Sequence, residues 1–265
     1  MQSNPVVSFY TQDPTATFAR QTFGRAGAAK LWSRILQDGD TDNRKVRALV
    51  RGTRPHEIAH SSVKIRIDGC PPPPCAAQDG YAWIMDYACD CIGNQAERIV
   101  RQKLFVIHSA ASKPTGEDNA RYKGIPAPFF FLRKGDPYGW TVGISLQELD
   151  DGKISTVLAD MEKPYAQGMF MDSCSRAATA VFPWKGRWHE HRYQPKDPRR
   201  ALTNREFVVN AAHAIEHIWK TLGIPISPSA RASVKLIGVF YVSKGRYQAI
   251  LEAPLTERLH EHSSW

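Results

Sequence analysis

A helix with both ends written into the sequence lies between Thr203 and Pro225, and it constrains the fold more than any other segment. Thr203 and Glu206 have the spacing of a capping box, in which the hydroxyl accepts from the N3 amide and the glutamate accepts from the cap amide. Phe207, Ala211, Ile215, Ile218 and Leu222 then repeat on one face, until Gly223 and Pro225 stop the run. Such a helix must bury its stripe, and a partner follows directly. Residues 234–242 and 246–252 read as two strands around a Ser243–Lys244–Gly245 turn. A capped helix followed by a hairpin predicts an α+β protein, built as an antiparallel sheet with packed helices.

The upstream chain supplies more of both elements. Residues 15–36 read as a helix, with Phe18, Phe23, Ala28, Leu31 and Ile35 near helical spacing before the polar run from Asp38. Residues 63–68 alternate strictly, with Val63, Ile65 and Ile67 against Lys64, Arg66 and Asp68, which predicts a half-buried strand. Gly69 and the CPPPPC turn end it. Residues 81–102 are expected to be helical with a break at Gly93, and 104–108, 129–132 and 140–146 to be strands. The polar stretch 109–124 reads as an exposed loop, a candidate insertion in a single domain expected to span residues 1–265.

Composition narrows the class. Hydrophobic residues make up 42% of the chain, enough for a sizeable core, which excludes a wholly disordered protein. Apolar runs are too short to cross a bilayer, so no membrane role is expected. The opening MQSNPVVSFYTQDP lacks the basic-then-apolar pattern of a secretory signal. Five cysteines are an odd number in a chain this long, so a disulfide framework is not expected and a cytoplasmic or nuclear location is. Lys plus Arg number 35 against 26 Asp plus Glu, an excess of nine. That excess admits nucleic acid as a partner, but its densest groups, at 44–54 and 196–200, form no continuous stripe.

Eight of the nine histidines fall in close pairs. His56-Glu57-x-x-His60 matches the HExxH pattern, in which two histidines hold zinc and the glutamate is the base. Pro55 before it and the strand from Val63 leave at most two helical turns for that chemistry. His213-x-x-Glu216-His217 matches the inverted HxxEH pattern and lies on the capped helix. There the apolar stripe puts His213, Glu216 and His217 with Lys220 on the opposite face, where a solvated polar surface is the simplest reading. His189 and His191, at i and i+2, share one face of a strand; facing His213 and His217 they would make a four-histidine centre for a divalent metal.

Cys70, Cys75, Cys89 and Cys91 bring four thiols within 22 residues, a set that could close a structural zinc site. Neither half has the C-x2-C knuckle, and core packing on an apolar segment is the competing account. The segment 182–192, FPWKGRWHEHR, interleaves aromatic and basic residues. Trp184, Lys185, Arg187, Trp188 and Arg192 could stack and pair with a peptide or with bases there, or the tryptophans could pack internally. No phosphate-binding glycine loop and no GxSxG elbow occurs, so nucleotide-fold and serine-hydrolase readings have no anchor.

Three segments of the C-terminal part, 182–186 (FPWKG), 202–205 (LTNR) and 242–248 (VSKGRYQ), together resemble a pattern in a group of basidiomycete fungal proteins of unassigned activity. The resemblance departs at the first segment, where Pro183 precedes Trp184 and a lysine follows. It implies a fungal intracellular source and carries over no catalytic residue. The first expectation for function is a non-catalytic binding or scaffolding protein using the 184–192 surface, with a protein or small molecule as ligand. The second is a zinc-dependent enzyme, a hydrolase using the paired histidines; the third is a zinc-stabilised nucleic-acid binder.

Overall fold

The computed structural model describes residues 10, 16–37, 62–67, 82–87, 89, 94–105, 128–135, 141–162, 178–184, 187–193, 203–221, 223, 226–243 and 246–254. In chain order the elements are α1 (Phe18–Gln37), β1 (Ser62–Ile67), β2 (Ala82–Tyr87), β3 (Pro128–Phe130), β4 (Ile144–Ser145), α2 (Leu146–Asp150) and α3 (Ile154–Val157). There follow β5 (Ala178–Trp184), β6 (Arg187–Tyr193), α4 (Asn204–Thr221), α5 (Pro228–Ser233), β7 (Lys235–Ser243) and β8 (Arg246–Glu252). The protein is α+β, as the capped helix and hairpin predict.

The main sheet runs β3-β7-β8-β5-β6, with β4 also paired to β7. It is mostly antiparallel. Among the described residues, the one parallel joint is β5 with β8, where Thr179 and Ala180 stand opposite Arg246 and Tyr247. Strand alternation sends side chains to two separate cores. On one face Ala180, Phe182, Tyr247, Ala249 and Leu251 pack with Phe207, Ala211, Ile215 and Trp219 of α4. On the other, Val181, Ile237, Phe240 and Ile250 pack with Phe18, Phe23 and Leu31 of α1. β8 is therefore buried along its whole length after Arg246, and the sheet is sandwiched between helices.

A bulge keeps β7 in phase with both cores. Leu236 faces Leu251 and Gly238 faces Ile250, so Ile237 and Gly238 together oppose one residue of β8. Without the extra residue, Val239 and Phe240 would exchange faces.

The predicted α4 cap is realised: Thr203 N donates to Glu206 Oε2 at 2.9 Å and Glu206 N to Thr203 Oγ1 at 3.2 Å. The helix over 15–36 also forms, broken at Gly24, whose φ of +69° is left-handed. Among the described residues of 81–102, by contrast, the expected α-helix does not form. β2 pairs along its length with β1, Val63 opposite Asp86 and Ile65 opposite Ile84. Asp86 is fully buried and accepts from Tyr10 Oη at 2.8 Å and Ala19 N at 3.3 Å, which anchors β2 under α1. Residues 94–105 carry a short 3-10 turn and pair with β8 and the residue after it, through Val100 N to Leu251 O at 2.8 Å and Ala253 N to Arg98 O at 2.9 Å. Long-range pairing overrides the local helical pattern here.

The strand expected over 140–146 shortens to β4 because Ser145 starts a helix. Ser145 and Glu148 form a second capping box. Arg133 reaches the same carboxylate, its Nη2 at 2.7 Å from Glu148 Oε1 and its Nη1 at 3.2 Å from Oε2. The Arg133 hydrogen bonds, followed by the Ser145 amide and the Arg133 charge, outweigh partial burial and hold the Glu148 carboxyl at about 2, down from 4.5. A carboxyl depressed in the folded state stabilises it fully above pH 4.5, and that contribution is lost as pH falls from 4.5 towards 2. The pair is partly solvent-screened, so Glu148→Gln is expected to cost about 1–2 kcal/mol at pH 7 and almost nothing at pH 2. Urea unfolding of both proteins at the two pH values checks this; a gap that stays constant with pH would refute it.

Candidate functional site

Arg187, His189, His191 and Arg192 lie on β6, an end strand of the described sheet, which passes under α4. β5 and β6 form a hairpin, with Trp184 opposite Arg187, Phe182 opposite His189 and Ala180 opposite His191. Pro183 lies beyond the β8 partners of β5, so no ladder bond to β8 needs its missing N–H. Alternation along β6 then divides its side chains between the two faces.

Arg187, His189 and His191 fall on the α4 face. His191 meets His217 there, with ring centroids 5.0 Å apart and planes inclined at 48°. Burial lowers the proton affinity of His191, and the neighbouring His217 and His213 lower it further. His213 and His217 are exposed on α4, while His189 and His191 are half-buried. His191 is thus brought to the i, i+4 pair on α4. Among the described residues, no three His, Cys, Asp or Glu side chains form a group placed to hold a metal.

Trp188, Glu190 and Arg192 fall on the opposite face. Trp188 packs edge-on against Phe105 at 4.9 Å and joins the α1-side core. Arg246 lies over the Phe105 ring at 5.7 Å and pairs with Glu190 at 3.4 Å. Arg187 and Arg192 are exposed, on opposite faces and near opposite ends of the strand. Trp184 has its backbone in β5, and Lys185 lies outside the described residues.

Glu216 borders a cleft of about 270 Å³ with Leu149, Asp150, Ile154, Val209 and His213, the last a member of the histidine seam. Arg231 of α5 binds Asp150 through Nε and Nη2, both at 2.6 Å, and also holds Glu216. The carboxylate that an inverted zinc motif would use as base is therefore engaged in an ion pair. Asp150 and Arg231 escape motif reading, although the Ser145-x-x-Glu148 box and the Ser227-Pro228 cap were signals for their helices.

Cys89 is buried in the α1-side core, its amide donating to Ala16 O at 2.9 Å. Cys70, Cys75 and Cys91 lie outside the described residues, as do His56, Glu57 and His60. Among the described residues, no helix is long and apolar enough to cross a membrane. Comparison of the chain with protein-family models, with curated proteins and with solved structures finds no match in any of the three.

Proposed function

We propose that this chain is a non-catalytic binding protein that takes an extended, acidic polypeptide segment along the outer edge of β6. The observation that carries the reading is the position of β6. It is a seven-residue strand at the end of the sheet order, and among the described residues no strand pairs with its outer side. Outer-edge amides and carbonyls are a template for a further strand, and main-chain bonds of that kind supply affinity in strand-addition complexes. Charge selects the ligand. Arg187 and Arg192 straddle the edge, Glu190 is already paired with Arg246, and the whole chain carries a formal charge of +9.

Fluorescence anisotropy with a labelled octapeptide of alternating valine and glutamate tests this. Saturable binding is expected, weakening with salt and falling at least about tenfold in Arg187→Glu/Arg192→Glu. Amide exchange within β6 should slow on binding. No binding, or binding that the double variant retains, would sink the reading. So would a marked preference for duplex nucleic acid under the same conditions.

A further inference from the structure

The imidazole pair across the β6–α4 seam has a geometry of its own. A tetrahedral ion holds imidazole nitrogens at about 2.1 Å, which places each ring centroid roughly 3.2 Å from the metal and the two centroids roughly 5 Å apart. The His191 and His217 centroids are 5.0 Å apart. Their planes are inclined at 48°. Solvent reaches the pair, since His217 is exposed and His191 half-buried. His213 stands one helical turn before His217 on the same side of α4.

We propose that His191 and His217 chelate one divalent transition-metal ion of the class imidazole favours, zinc, copper(II) or nickel, tying the edge strand to α4. Two coordination positions are left for water or an incoming ligand. The ion would cross-link the edge strand to the helix packed on it, and so would stiffen β6. This reading does not depend on the peptide one: a metal could bind whether or not the strand edge accepts a partner.

The probe is zinc alone, in equilibrium dialysis of untagged full-length protein, compared among wild type, His191→Gln, His217→Gln and the double variant. Either single substitution is expected to remove one zinc per chain, and the double variant to remove the same one. Zinc should also raise the melting temperature of wild type more than that of either variant. His189→Gln, on the same strand face, should keep the ion. Equal zinc content in all the proteins would overturn the proposal, as would two ions lost in the double variant or one lost in His189→Gln. If glutamine disturbs α4, His217→Asn repeats the comparison with the same criteria.

Discussion

Truncating Phe207 to alanine is expected to lower the free energy of unfolding by about 3–5 kcal/mol. The side chain is fully buried in the first half of α4. Its ring centroid is 4.9 Å from that of Tyr247 on β8 and 6.4 Å from that of Phe131. One side chain thus joins the helix to the middle of the sheet and to the segment after β3. The surrounding core is built on strands paired on both sides, which limits how far it can collapse into the space left. Tyr247 makes the result diagnostic. Among the described residues its Oη has no hydrogen-bond partner, and burial raises the phenol well above its ordinary value. A cavity beside it lets water reach that oxygen, offsetting part of the loss. Tyr247→Phe alone should therefore be close to neutral. Combined with Phe207→Ala, it should destabilise by more than the sum of the single changes. Urea unfolding of the four proteins measures the coupling; strict additivity would show that no water enters.

How much of this could be read from sequence differs by the range of the interaction. The α4 cap and the β7–β8 hairpin were legible because each is settled by residues a few positions apart. Ser145 and Glu148 carry the same signature as Thr203 and Glu206, yet the alternating apolar pattern ahead of them masks it. Ser227 with Pro228 likewise marks α5, which intervenes between the capped helix and the hairpin. What stayed hidden is set by partners far away. β2 is a strand because β1 and Tyr10 complete it, and nothing within residues 82–87 announces either. Gln248 is fully buried because its side chain accepts from Phe105 N at 2.7 Å and donates to Lys103 O at 2.9 Å. The candidate site follows the same rule. The spacings of His189/His191 and His213/His217 assign each pair to one face of its own element. That His191 and His217 meet depends on β5 joining β8 in parallel, which carries β6 to the sheet edge beneath α4. The same alternation divides Arg187 from Arg192, so the basic segment is an edge with a charge on either flank.

Gly143→Ala is expected to destabilise the protein by about 2–4 kcal/mol, through two effects that a control separates. Gly143 has φ of +91°, a left-handed conformation that costs an L-residue roughly 1–2 kcal/mol. It also sits against β7. An added Cβ would lie 2.8 Å from Ile237 Cδ1, 3.1 Å from Leu236 O and 3.2 Å from Ile237 Cα. Two of those atoms are backbone, or bonded directly to it, at the bulge that keeps Val239 and Phe240 facing their separate cores. The strand cannot yield without moving both. The glycine itself is pinned, its amide donating to Phe131 O at 2.7 Å and its carbonyl accepting from Arg133 Nη1 at 3.1 Å. Gly135 supplies the comparison: its φ is +79°, and an added Cβ there meets nothing within 4 Å. Gly135→Ala should therefore carry the conformational penalty alone, about 1–2 kcal/mol. The excess at Gly143 measures close approach to β7. Because Arg133 binds both Gly143 O and Glu148, a shift there should also weaken the α2 cap and shrink the pH dependence expected of Glu148. Equal losses at the two glycines, with the acid response of Glu148 unchanged, would show that β7 accommodates the methyl group and that the bulge is not held from this side.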